Sequence, residues 1–386
     1  MKRDEGDAVM ARLDDICAIN MGQSPDSASY NENGEGMPFF QGNADFGKTH
    51  PKVRVWCSAP TKIAHAGDVL ISVRAPIGAL NIADRECCIG RGLAALTVNE
   101  GLCVKDYLWY AIASKVDELN SKGTGSTFKA ISKGVLAETE IPLPDLNEQK
   151  KIAEQLTMVD RLIAARKEQL TKLDQLIKSR FIELFGNLVI GDKVDTNKKK
   201  IGEIASVTKL AGFEFTKYIQ YKEQGDIIML RGLNCKKGHL VLDDIKWIDK
   251  ETSDLLPRSK LYYGDILMTY AGTIGDVAMV DADDKYHLAP NVAKITLNNK
   301  KACNPVFLMH LFMYTNDYIM TFASVVAQAS INMEKIRNFE YYFPPVEQQN
   351  QFAAFVEQTD KSKLAIQQSL DKLELLKTSL MQEYFG

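Results

Sequence analysis

The chain repeats itself. Residues 149–186 match residues 349–386 at a constant offset of 200, and 12 of the 38 aligned pairs are identical. Chance identity at ordinary composition is about one pair in sixteen. Gln149/Gln349, Asp160/Asp360, Leu170/Leu370, Leu173/Leu373 and Phe185/Phe385 are among the identities. The same register holds upstream: IPLPDLNEQ at 141–149 faces YYFPPVEQQ at 341–349, Ile131 faces Ile331, and YLWY at 107–110 faces FLMH at 307–310. With small insertions, Arg12-Leu-Asp-Asp-Ile-Cys-Ala-Ile resembles Lys200-Ile-Gly-Glu-Ile-Ala-Ser-Val, and GDVLISVRAPIG (67–78) resembles GDILMTYAGTIG (264–275). Solenoid repeats run about 20–50 residues, so a period this long means a duplicated domain pair. The order is globular unit, helix, globular unit, helix.

The repeated tails carry a helical signature. Pro142 and Pro144 stop the preceding strand, and Asp145 with Glu148 forms a capping-box-like start. Ile152, Leu156, Val159, Ile163, Leu170, Leu173 and Ile177 then recur at steps of three and four, broken once by Arg166, and Gly186 stops the run. A helix over 148–185 would be about 57 Å long at 1.5 Å per residue. The second copy, 348–385, keeps Phe352, Val356, Ile366, Leu370, Leu373 and Leu380, with Lys363 and Lys377 interrupting. A lone helix cannot bury such a stripe. Either each packs on its own globular unit, or the two pair; sustained seams in both predict pairing as a coiled coil.

The remaining segments read as mixed α/β, of α+β type. Buried strands are predicted at 69–73, 94–98, 227–230 and 266–269, and apolar helices at 107–119 and 306–322. Long polar loops fall at 20–50, 120–134 and 231–247, and long ordered loops on a rigid scaffold are where binding usually sits. The predicted organisation is a first unit at 1–146, a helix at 147–186, a second unit at 187–346 and a second helix at 347–386.

Lys+Arg at 47 nearly cancels Asp+Glu at 50, for a net charge of −3. That excludes a globally basic nucleic-acid binder but leaves room for a locally basic face. Charged residues in MKRDEGDAVM stand where a signal peptide needs an apolar core, and no stretch suits a membrane span, so a cytoplasmic protein is expected. Seven scattered cysteines without a C-x-x-C predict reduced, partly buried thiols, and the dispersed histidines give no metal motif.

Catalytic signals are weak. Asn304-Pro305-Val306-Phe307 lacks the second proline of the amino-methyltransferase N-P-P-[YF] tetrapeptide, and Pro305 suits a helix start. Gly123-Thr-Gly-Ser is a lone G-x-G in a polar loop. Pro144-Asp145 with Glu148-x-Lys150 looks like a nuclease motif, yet its carboxylates share one turn of a helix start and read as a cap. No phosphate-binding G-x-x-x-x-G-K-[ST] loop or helicase box occurs.

Binding signals are more coherent. Gln23, Ser24, Gln41 and Asn43 lie in the first long loop, Arg74 follows a predicted strand, and Arg91 stands between two glycines. In the second unit Arg231, Asn234, Lys236 and Lys237 cluster past a strand end, and Thr269, Tyr270 and Thr273 follow another. Arginine suits guanine, Asn and Gln suit adenine, and lysine suits phosphate. Any one of these also reads as a solvated loop residue; their recurrence at matching places in both units is what points to DNA. Lys198-Lys199-Lys200 reads as a solvated linker run.

The whole chain resembles the specificity subunit of type I restriction–modification enzymes. The resemblance rests on Leu13-Asp-Asp-Ile16, the Gly67–Gly78 and Gly264–Gly275 segments, and Ile141-Pro-Leu-Pro-Asp-Leu-Asn-Glu-Gln149 with its second copy Phe343-Pro-Pro-Val-Glu-Gln-Gln349. The second copy departs at Tyr342, where the first has Pro142, and at Gln348, where the first has Glu148. The resemblance implies a non-catalytic subunit whose two target-recognition domains each read one half of a split, asymmetric sequence in double-stranded DNA. It implies that the helices pack antiparallel as a spacer, and the apolar spacing assigns Leu156, Ile163, Leu170, Leu173, Leu370 and Leu373 to helix pairing and partner docking. They would dock two modification (methyltransferase) subunits and, through these, the restriction subunits. S-adenosylmethionine, ATP and magnesium would then belong to those partners, with no cofactor or metal on this chain. The competing readings are a self-sufficient methyltransferase or nuclease, which needs a catalytic set, and an inert coiled-coil scaffold, which predicts no DNA affinity.

Overall fold

The computed structural model describes residues 9–125, 129–193, 197–324 and 329–386. The charged first residues, Ser126 of the G-x-G loop and part of the 120–134 loop therefore lie outside the described residues. The chain divides into two units, one of residues 1–167 with 368–386 and one of residues 168–367.

The first unit is built on two sheets. Cys17–Met21, Leu93–Val98, Val69–Ser72 and Leu80–Ile82 form an antiparallel sheet in that order. Tyr30–Asn31, Val55–Cys57, Met37–Phe40, Cys87–Ile89 and Ile63–Ala64 form the second, with one parallel pair in the register Phe39↔Cys88. The second unit uses the same plan. Ala205–Lys209, Val292–Leu297, Ile266–Thr269 and Val277–Met279 make its antiparallel sheet. Lys246–Ile248, Ile227–Leu230, Tyr286–Leu288 and Lys260–Leu261 make the other, again with one parallel pair, Ile228↔Tyr286.

The central strands are apolar at nearly every position because both faces are covered. Val69–Ser72 and Ile266–Thr269 are buried throughout. On one face lie Leu13, Ile71, Tyr107 and Ile112 in the first unit, and Ile266, Phe307, Leu311 and Phe312 in the second. On the other face the two sheets meet, through Phe40, Leu70, Ile89 and Leu93 and through Leu230, Leu267, Leu288 and Val292.

The repeated G-D-[VI]-L motif is a hairpin device. Gly67 and Gly264 adopt φ of +93° and +84°, a region that favours glycine. The next residue, Asp68 or Asp265, accepts the amide of His65 at 2.8 Å or of Tyr262 at 2.9 Å, closing the turn before the strand. At the far end a hydroxyl does the same work: Ser72 accepts Ala79 N and Thr269 accepts Asp276 N, each at 3.0 Å.

The two long helices span Leu146–Phe185 and Val346–Phe385, each starting two residues before the expected position. Asp145 accepts the amides of Asn147 at 2.9 Å and Glu148 at 3.1 Å, as a cap should. Within the first unit Tyr384 donates to Gln155, Lys377 pairs with Asp160 and Lys167 with Glu374. One number rises as the other falls, so these stretches run antiparallel. Within the second unit Lys363 pairs with Asp174, and Phe181 and Phe185 pack against Phe352. Leu156 and Leu370 are buried, while Leu173 and Leu373 are half-buried, as are Ile163 and Leu170.

Three expectations need correction. The predicted helix over 107–119 is two helices, Lys105–Ser114 and Val116–Ser121, broken at Lys115, and its counterpart breaks at Thr315, where ψ is 27°. The long loops hold short strands: residues 30–31 and 37–40 in one, and the Cys235–Lys236 and His239–Leu240 hairpin in the other. The Lys198–Lys200 run is solvated as expected, but it is a strand and not a linker: it pairs with Glu340–Tyr342, with Lys198 over the Tyr342 ring and Lys200 facing Glu340.

Candidate nucleic-acid interface

In the first unit four loops converge at one end of the sheets. Gln23 N bonds Ile89 O at 3.0 Å and Gly22 N bonds Leu93 O at 2.9 Å. Gly90 N bonds Phe40 O at 2.8 Å, Val73 N bonds Gly92 O at 2.9 Å, and Arg91 N donates to the Ser24 hydroxyl at 3.3 Å. Gly92 is needed there, since a Cβ would stand 2.4 Å from Gln41 O, and a Cβ on Gly90 would press on Gln41 Cα at 3.1 Å. This weave brings Gln23, Gln41, Arg74 and Arg91 together as exposed side chains. Asn43 is half-buried in the turn beside them, lining a cleft of about 260 Å³ with Tyr30, Phe39, Gln41 and Arg54. Tyr30 stacks on Phe39 at 4.8 Å.

The second unit builds the same convergence with other residues. Ala289 N bonds Leu230 O at 3.2 Å, and Tyr270 N bonds Asn291 O at 3.0 Å. The Lys209 ammonium lies 5.6 Å from the Tyr270 ring centre, a cation–π contact. A Cβ on Gly232 would touch Thr269, which places the Arg231 turn beside that strand end. Thr273 is exposed there, and its carbonyl accepts the Thr269 hydroxyl.

Two expected contacts are not available as expected. Asn234 is fully buried: its Oδ1 accepts Arg231 N at 3.0 Å and its Nδ2 donates to Val241 O and Asp244 O at 2.8 Å each. It caps a turn and offers no free edge to a base. Lys237 does not share a face with Arg231 either. It turns at φ +49°, beside a glycine packed on Met309 and Met313, and lines a cavity of about 330 Å³ with Asp174, His310, Asp360 and Lys363. Lys236 is exposed in the same hairpin. The sequence put the four residues close together in number; a hairpin then carried the lysines away from the strand end.

Sequence reasoning missed Arg54 and Asp244. Arg54 Nε donates to Asp45 Oδ1 at 3.0 Å, and Arg231 Nη2 donates to Asp244 Oδ1 at 2.7 Å. Neither stands in a recognisable motif; only the folded turn reveals them.

Two of the nominal catalytic motifs act as helix caps. Asn304 caps the Pro305–Tyr314 helix by accepting Val306 N at 2.9 Å, and Asp145 caps the first long helix. All seven cysteines are free and buried, and burial pushes the thiols of Cys17, Cys87, Cys103, Cys235 and Cys303 up to about 12. Among the described residues no group of three or more His, Cys, Asp or Glu is placed to hold a metal ion, and no helix is long and apolar enough to cross a membrane.

Comparison with known proteins gives this architecture a family. A Methanocaldococcus jannaschii protein provisionally named the type I restriction enzyme MjaX specificity subunit is 44% identical over 151 residues, which is 39% of this chain and about a third (36%) of that relative. The EcoBI specificity subunit of a type I restriction enzyme from Escherichia coli is 24% identical across 97% of this chain and 84% of its own length. A crystal structure of the S subunit of a type I restriction–modification system from M. genitalium shares the fold, with a TM-score of 0.61 at 16% identity, covering 100% of this chain and 98% of that one. The family profile described as "Type I restriction modification DNA specificity domain" matches twice, over residues 5–175 and 193–375, and the chain belongs to that family.

Proposed function

We propose that this chain is the non-catalytic reader of a type I restriction–modification complex, and that each unit reads one half of a bipartite, asymmetric site in double-stranded DNA. The observation that carries the reading is the loop convergence built twice on one sheet plan with different side chains: Gln23, Gln41, Arg74 and Arg91 in one unit, Lys209, Arg231, Tyr270 and Thr273 in the other. One frame supplies two similar docking geometries, and different edges supply two different sequences. Lys236 and Lys237 in this reading are at most phosphate contacts.

The long helices serve as an antiparallel coiled-coil spacer relating the two readers by a pseudo-twofold axis. Residues 1–146 and 187–346 are the target-recognition domains; 147–186 and 347–386 are the spacer. The antiparallel ion pairs inside each unit and the matching 4–3 spacing of the seams support this. The seam leucines are turned inward, so docking of two modification subunits falls to apolar side chains left on solvent, such as Met158, Leu162, Leu364 and Leu375. Restriction subunits join through the modification subunits, in the cytoplasm. S-adenosylmethionine, ATP and magnesium act on the partners.

The test is a domain exchange. Residues 1–146 are replaced with the first unit of another family member, and the complex assembled with its modification subunits is assayed for the sequence it methylates. One half of the recognised sequence should change and the other persist; a change in both halves would sink the two-reader model.

A further inference from the structure

The turn after the central strand of the parallel pair is built alike in both units but wired with opposite polarity. In the first unit it follows Met37–Phe40 and closes as a 3-10 turn, Asn43–Asp45. The Asp45 carboxylate accepts Gln41 N at 2.7 Å and Gly42 N at 3.3 Å, and the Arg54 guanidinium lies against it through both Nε and Nη2. The carboxylate is the hidden member: the Asp45 side chain is 9% exposed and that of Arg54 61%.

In the second unit the turn follows Ile227–Leu230 and closes as Gly232–Asn234. Here Asn234 takes the role of Asp45, accepting Arg231 N. The Arg231 guanidinium donates to Asp244 O at 2.8 Å and Asp244 Oδ1 at 2.7 Å. Now the cation is the hidden member: the Arg231 side chain is 19% exposed and that of Asp244 63%. Arg54 stands one residue, and Asp244 two residues, before the strand residue paired with the matching position, Val55 opposite Phe39 and Lys246 opposite Met229.

We propose that this turn reads one base edge in each half-site with complementary chemistry: Arg54 takes the acceptor edge of a guanine, and Asp244 takes the amino group of a cytosine. With Nε and one Nη2 hydrogen held by Asp45, the guanidinium keeps an Nη1–Nη2 fork pointing outward, which matches guanine O6 and N7. A buried counter-ion fixes that fork before binding, as a specific contact needs. Asp244 keeps Oδ2 for a donor. A carboxylate on a DNA face is repelled by phosphate, so the favourable partners left to it are base amino groups, foremost cytosine N4. The proposal rests on the reading that these loops face DNA, and the experiment separates the two.

The complex assembled with modification subunits is offered a randomised duplex pool, and binding to cognate and scrambled duplexes is titrated with salt. Arg54→Gln should relax one G·C position in one half-site and weaken cognate binding about ten- to a hundredfold, with scrambled binding and the salt slope unchanged. Asp244→Asn, which keeps an acceptor for Arg231, should shift one position of the other half-site from cytosine toward adenine. If Arg54→Gln weakens every duplex alike and flattens the salt slope, Arg54 is a phosphate contact and the polarity inference is wrong while the DNA face stands. The polarity inference also fails, with the DNA face intact, if both variants select like the parent while Arg74→Ala and Arg91→Ala lose affinity. If all four variants behave like the parent, the face itself is misassigned.

Discussion

Gln149 in the first unit and Gln349 in the second do one job in one way, whereas Gln41 and Arg231, which follow matching strands, share only the backbone bond that closes their turn and differ in side-chain chemistry. Gln149 accepts Val104 N at 2.8 Å and donates to Leu102 O and Pro144 O. Gln349 accepts Asn304 N at 3.0 Å and donates to Pro344 O at 2.7 Å. Each is buried and clamps the start of its long helix to the start of the shorter helix. Buried backbone groups must be satisfied wherever the chain makes this corner, so the frame has one answer. Loop ends facing water have no such obligation and are free to carry a guanidinium in one unit and a carboxylate in the other.

The largest break between the units should come from their cores. The helix corner of the second unit is aromatic, with Phe352 packed against Phe181, Phe185 and His310; its counterpart in the first is Ile152, beside Leu156 and Phe385. Phe352→Ala should cost about 3–5 kcal/mol, and Ile152→Val only about 0.5–1.5 kcal/mol. Amide hydrogen exchange should show the first loss as faster opening of residues 305–314 with residues 105–114 unaffected. Equal opening of both segments would mean the two cores melt as one.

Next in size is the clamp. Gln149→Leu strands one donor and two acceptors in a buried corner, at about 1–3 kcal/mol for a group left unsatisfied. A total of about 3 kcal/mol is expected, against about 2 kcal/mol for Gln349→Leu, where the side chain holds two such groups. Denaturant titration of the two variants checks both the size and the order; if each costs less than about 1 kcal/mol, water replaces the amide and the corner does not depend on it.

Much of the frame was legible because it rests on signals that repeat. The 4–3 apolar spacing located both long helices, and the Gly-Asp pair marked the strands that follow it, since a positive φ and an Asp-closed turn have few sequence solutions. The break at Lys115 was not legible, because helical periodicity in 107–119 continues across it. The candidate site was half legible. Gln41, Arg74 and Arg91 were visible as polar residues at strand ends, but Arg54 and Asp244 acquire meaning only from partners 9 and 13 residues away in sequence. Asn234 was misread for the same reason: sequence shows a residue type, and only the fold shows whether its hydrogen bonds are already spent.

The smallest predicted difference is a histidine-based acid response in the second unit. Tyr110 in the first unit donates to Asp160 at 2.9 Å, and Asp160 also takes Lys377. The residue 200 positions on is His310, whose Nδ1 lies 2.8 Å from Val306 O. Asp360 and Lys363 face it from the second long helix, Asp174 and Lys178 from the first, and Lys237 and His239 from the hairpin. Burial lowers its pKa to about 4, with Lys363 adding to the effect and Asp360 opposing it. The folded value lies below the ordinary unfolded value of about 6.5, so the unfolded chain binds the proton first. The stability owed to neutral His310 is complete above about pH 6.5 and is lost as pH falls toward 4. Between about pH 7 and pH 5 that loss should be about 1–2 kcal/mol. His287, also buried and also lowered, adds to it in the same direction. His310→Tyr restores the first unit's residue, which can reach Asp360 as Tyr110 reaches Asp160, and should flatten the pH dependence without abolishing it. Hydrogen exchange of residues 305–314 at about pH 7 and pH 5, corrected for the intrinsic rate, reads this directly; a variant with the parent's full pH response would show that His310 is already relieved by its neighbours.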